Sequence, residues 1–122
     1  MIIHKIKGNF REFSSEIINS NTIKSLCINN RCAEFLDYSV LENMPLKNLS
    51  IDNCNIKIIS VFRKLTLLES VNLSSNLIND MPDHLLVCDS IVKLDLRYNE
   101  FKSISKKNIY NEKIMLFILC ES

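Results

Sequence analysis

Apolar residues recur along the chain with a spacing that neither a single helix nor a simple hairpin produces. The segments Ile23-Lys-Ser-Leu26-Cys-Ile28, Leu46-Lys-Asn-Leu49-Ser-Ile51, Leu68-Glu-Ser-Val71-Asn-Leu73 and Ile91-Val-Lys-Leu94-Asp-Leu96 all read apolar-x-x-apolar-x-apolar. Their first positions, 23, 46, 68 and 91, are separated by 23, 22 and 23 residues. One more period lands on Ile114-Met-Leu-Phe117-Ile-Leu119, and Ile3-His-Lys-Ile6 is a weaker match 20 residues before the first copy. The alternation within each copy predicts a short strand with one face turned inward. Strands are therefore expected near residues 26, 49, 71, 94 and 117.

Three copies continue in the same way after the strand. Asp52-Asn-Cys54-Asn-Ile56, Ser74-Ser-Asn76-Leu-Ile78 and Arg97-Tyr-Asn99-Glu-Phe101 place Cys or Asn, then an apolar residue, at fixed offsets. A sharp turn after a strand leaves backbone N–H and C=O groups without ladder partners, and an inward Asn can satisfy both kinds. Cys54 is a smaller substitute with a weak S–H donor, and Arg31 holds the same place one repeat earlier and breaks the rule.

With both halves of the repeat in place, the chain resembles the leucine-rich-repeat family, whose pattern is LxxLxLxxN/CxL. The likeness implies an α/β fold: a solenoid with a parallel β-sheet on the concave face and short helices or 3₁₀ turns on the convex face. It implies one domain, 1–122, with an irregular first coil at 1–22. Repeats would start near 23, 46, 68 and 91, with an incomplete terminal repeat at 114–122.

The return segments are expected to differ. Leu36, Val40, Leu41 and Met44 suggest a short helix within 33–44. The three-residue period of Ile56, Ile59, Phe62 and Leu65 suits 3₁₀ or irregular turns. Pro82 sits near a possible helix start. Phe10, Phe13, Ile17 and Ile18 suggest an amphipathic segment covering the first coil.

Length and composition fit this picture. The 122 residues are 47% hydrophobic, enough for one domain with a real core. The formal charge of +1 is too balanced for an obvious nucleic-acid or membrane-surface protein. Its distribution is uneven, with mildly basic ends and an acidic middle. The five cysteines include no CxxC pair, so reduced thiols in a cytoplasmic or nuclear compartment are expected. The longest apolar run, Ile114 to Cys120, is too short to cross a bilayer. The beginning of the chain, with Lys5 and Lys7, lacks the apolar stretch of a signal peptide. The sequons at Asn48 and Asn72 are read as accidental.

Catalytic chemistry is thinly supplied. His4 and His84 are far apart in the repeat, and His84 with Cys88 makes only half of a metal site. Asp80, Asp83 and Asp89 lack the spacing and the glycine of a calcium loop. The single Gly8 excludes glycine-rich phosphate loops. No nucleophile, base and orienting group converge, so an enzyme, a cofactor, a metal and a small-molecule substrate are not expected.

The outward strand positions are more informative. One row is Lys7, Cys27, Ser50, Asn72 and Asp95; a second is Asn29, Asp52, Ser74 and Arg97; a third is Asn30, Asn53, Ser75 and Tyr98. Arg97 and Tyr98 stand out, because binding energy concentrates on such side chains, and truncating both should spare the melting temperature. Candidate partner-binding residues on this face are therefore Asn72, Asp95, Arg97 and Tyr98. A basic cluster of Lys102, Lys106, Lys107 and Lys113 could meet an acidic protein or RNA. The last predicted strand is apolar on both faces. Met115, Leu116 and Ile118 lack an intramolecular role there, so a partner is expected to cover that edge. The expected function is a non-catalytic protein-interaction module, a small subunit held in a larger assembly. The alternative is a structural accessory protein of a ribonucleoprotein, ribosome- or spliceosome-associated, contacting RNA through its basic ends.

Overall fold

A computed structural model describes residues 2–7, 21–29, 37–57, 63–79 and 88–100. Its frame is a five-stranded sheet of β1 (Ile2–Lys7), β2 (Ile23–Asn29), β3 (Asn48–Ile51), β4 (Ser70–Asn72) and β5 (Lys93–Asp95). The strands lie side by side in chain order, and every pair is parallel. This parallel sheet, with few helical residues among those described, is compatible with an α/β fold. Consecutive parallel neighbours require the chain to return to the same end of the sheet between strands. The 22- and 23-residue spacings are the lengths of those round trips.

The register follows the sequence repeat. Leu26 pairs with Leu49, Leu49 with Val71, and Val71 with Leu94. The apolar position opening each copy (Ile23, Leu46, Leu68, Ile91) is almost fully buried, as are Ile28, Ile51, Leu73 and Leu96 at the third. Period-two alternation thus sends every second side chain of β2–β4 into one core. Backbone pairing runs past the strands into the turns. The Leu73 N–H donates to Asp95 O at 2.9 Å, and the Ser75 N–H to Arg97 O at 2.9 Å.

Two expectations are corrected. The first concerns β1, where a register shift between Ile2 and Ile3 follows the Ile2–Ile23 pair. Beyond it Ile6 pairs with Ile28, not with Leu26, and Lys5 rather than Lys7 heads the row of Cys27; Lys7 pairs with Asn29. An irregularity of one residue moves every later partner, which spacing alone does not reveal. The second concerns the return after β2. In the described part of 33–44, Tyr38–Leu41 is a four-residue 3₁₀ turn. Asp37 caps it by accepting from the Ser39 N–H at 3.1 Å. Pro45 follows closely and biases Met44 away from the α conformation, so the turn goes no further. The proposed starts of helices near Pro82, the segment at 10–18 and the strand near 117 lie outside the described residues.

Candidate functional site

The turns after the strands anchor the site. Asn76 is buried, and its side chain is fully used: Oδ1 accepts from the Cys54 N–H (3.0 Å) and the Ile56 N–H (3.1 Å). Its Nδ2 donates to Ile51 O (2.7 Å), Leu73 O (3.0 Å) and Ser74 O (3.2 Å). Asn99 repeats the arrangement, accepting from the Ile78 N–H at 3.0 Å and donating to Leu73 O at 2.9 Å and Leu96 O at 3.1 Å. Cys54 stands one repeat earlier, with its thiol 3.6 Å from Ile28 O and 3.0 Å from Asp52 O. Each side chain reaches a carbonyl in or just after the preceding strand and so ties consecutive round trips together. Nearby, burial pushes the Tyr38 phenol well above its ordinary range, with Cys54 adding to the effect.

The residue before each rung takes a left-handed backbone: Asn53 has φ 55°, Ser75 φ 57° and Tyr98 φ 60°. Asparagine tolerates this conformation, whereas for a bulky side chain it costs about 1–2 kcal/mol. Tyr98 is nonetheless 56% exposed. It bears both the strain and a ring turned to solvent.

The sheet face away from the core carries three rows of mostly small polar residues. Asn48 donates to Ser25 Oγ at 2.9 Å, and Asn72 Oδ1 accepts from the Ser74 N–H at 3.0 Å. A shallow depression of about 130 Å³ crosses β2–β4, lined by Ser25, Cys27, Asn48, Ser50, Ser70 and Asn72 above Leu26 and Leu49. Asn72 and Asp95 are register partners, and Arg97 and Tyr98 follow directly on β5. The four face residues expected from the sequence are therefore neighbours in the fold.

What the spacing did not suggest is that Arg97 is already engaged. Its Nε lies 2.9 Å from Asp95 Oδ1 and its Nη2 2.7 Å from Oδ2, while its backbone N–H donates to the same Oδ1 at 3.1 Å. Residues i and i+2 of a strand share a face, which was the available signal. Burial alone would raise the Asp95 pKa, but the Arg97 hydrogen bonds and charge, with Lys93 adding to them, bring it below the ordinary carboxylate value. Truncating Arg97 would strand a carboxylate whose side chain is only 11% exposed. Truncating Arg97 should therefore lower the melting temperature, where the sequence alone leads to the expectation that it is spared.

A test follows from the lowered pKa. Stability contributed by Asp95 is complete above the unfolded carboxylate pKa of about 3.9 and is lost as pH falls through the lower folded value. Arg97→Ala should cost about 1–2 kcal/mol at neutral pH, between the values of exposed and buried pairs. In urea titrations that gap should close as the pH approaches the folded pKa. A gap that persisted in strong acid would show that packing, not charge, is lost.

The basic cluster Lys102, Lys106, Lys107 and Lys113 and the edge residues Met115, Leu116 and Ile118 lie outside the described residues, as does His84. Among the described residues, no group of three His, Cys, Asp or Glu is placed to hold a metal ion. Nor is any helix there long and apolar enough to cross a membrane. Comparison with known proteins finds no family model and no curated protein that matches the chain.

Proposed function

We propose that the chain is a leucine-rich-repeat solenoid that works as a non-catalytic protein-interaction module, a small subunit held in a larger assembly. The observation that carries this reading is the ladder of Cys54, Asn76 and Asn99. It ties successive repeats at a constant register and so presents one continuous polar face from β2 to β5. Stacked repeats that bury a common core leave such a surface available to a partner. The face suits holding better than reacting. Asn48 bonds to Ser25, Asn72 to the Ser74 N–H and Asp95 to Arg97, and among the described residues of this face no nucleophile is paired with an oriented base. A reducing compartment, cytoplasmic or nuclear, fits a fold in which Cys54 acts as an S–H donor, since oxidation would remove that hydrogen.

Site-specific photocrosslinking in the native cell tests the proposal. A photoreactive residue at Asn72 should yield a discrete protein adduct, and one at the exposed Lys57, away from the strands, should not. Adducts from position 57 alone, or none from 72, would move the contact off the sheet.

A further inference from the structure

We propose that this face selects an uncharged, extended polypeptide segment with an apolar side chain seated on the Tyr98 ring, an inference that rests on the interaction-module reading. Charge argues first. Across β2–β5 three rows before the turn that carries Tyr98 hold Ser25, Asn48, Ser70 and Lys93; Cys27, Ser50, Asn72 and Asp95; and Asn29, Asp52, Ser74 and Arg97. Two positive and two negative charges cancel, and both Arg97 and Asp95 are spent on each other. A nucleic acid draws its affinity from positive charge aimed at phosphates, and a strongly acidic peptide has the same need. Across β2–β5 this face offers no such surplus; the lysines Lys5 and Lys7 stand in register at its far end, on β1. The face offers hydroxyl and amide groups in rows, which match the N–H and C=O groups of an extended backbone.

Size and anchor follow. With strands about 4.8 Å apart, β2 to β5 spans about 14 Å, which about four extended residues would cross. At the β5 end stands Tyr98. A ring that is 56% exposed on a left-handed backbone costs the isolated fold twice, through strain and through unburied apolar surface. Contact with a partner would recover the second cost, and the left-handed turn sets the direction in which the side chain leaves the backbone. Asn53, which holds the same place two repeats earlier with nearly the same φ, shows what the turn itself accepts.

The experiment uses the full chain and three immobilised decapeptide pools, one built from uncharged residues, one enriched in acidic residues and one in basic residues, with poly-uridine RNA alongside. The uncharged pool should be retained, with retention unchanged between low and high salt. Tyr98→Asn, which relieves the backbone strain and keeps the melting temperature, should weaken it about tenfold or more. Preference for the acidic pool or the RNA, falling steeply with salt, would overturn the proposal. It would point to Lys5 and Lys7, which register places at the head of two rows. Preference for the basic pool overturns it equally. If any such binding still weakened in Tyr98→Asn, the interaction-module reading would stand while the partner chemistry fell. Retention of no pool by the folded wild-type chain would overturn both.

Discussion

Replacing Asn76 with leucine is expected to remove a large part of the fold's stability. The side chain sits in the interior, 4% exposed, where its Oδ1 is the acceptor for two backbone donors, the N–H groups of Cys54 and Ile56. Leucine has the same branched skeleton and no acceptor, so both N–H groups would stay buried without that partner. The carbonyl of Ile51 would lose its 2.7 Å bond at the same time. Each stranded group costs about 1–3 kcal/mol. Losing two donors therefore removes about 2–6 kcal/mol from a domain whose total is about 5–15 kcal/mol. Asn99→Leu should cost less, because among the described residues the Asn99 Oδ1 accepts from one backbone donor, the Ile78 N–H. Urea denaturation of the two variants checks both the size and the order. An unchanged midpoint for Asn76→Leu, or a larger loss for Asn99→Leu, would remove the ladder from its place as the tie between repeats.

That rung was legible in the sequence because its cause is local and repeated. A turn at a fixed distance after each strand creates the same orphaned backbone groups, and Cys54, Asn76 and Asn99 stand where those groups need a partner. The inward positions were legible for a similar reason, since Leu26, Leu49, Val71 and Leu94 meet the same requirement in successive copies. What escaped the reading has no repeat to reveal it. The register shift at Ile2 occurs once and moves Lys7 off the row assigned to it. The left-handed backbone at Tyr98 is hidden by its residue type, since tyrosine gives none of the signal that glycine or asparagine gives at such a position. The Asp95–Arg97 pair belongs to the last described copy, because the matching pairs Ser50–Asp52 and Asn72–Ser74 do not bring opposite charges together. The framework comes from what the copies share. The features that distinguish the face come from what one copy does by itself, and spacing cannot find those.

The core makes a second demand, and Leu49→Ala measures it. Leu49 is 2% exposed and stands in register between Leu26 of β2 and Val71 of β4, with Ile51 buried two residues on. Both neighbouring strands are held at fixed spacing by backbone pairing, so they cannot close over the space that truncation leaves. A core leucine cut to alanine loses transfer energy and keeps most of its cavity, at about 2–5 kcal/mol, and a site hemmed in on both sides belongs near the upper end. Leu67 supplies the contrast. It carries the same side chain one residue before the buried Leu68, yet it is 52% exposed, so Leu67→Ala should change stability by less than about 0.5 kcal/mol. Thermal or urea unfolding of the two variants side by side decides between burial and residue type as the source of the effect. Equal losses at 49 and 67 would mean that Leu49 does not fill a closed core row, and the inward register of β3 would have to be redrawn.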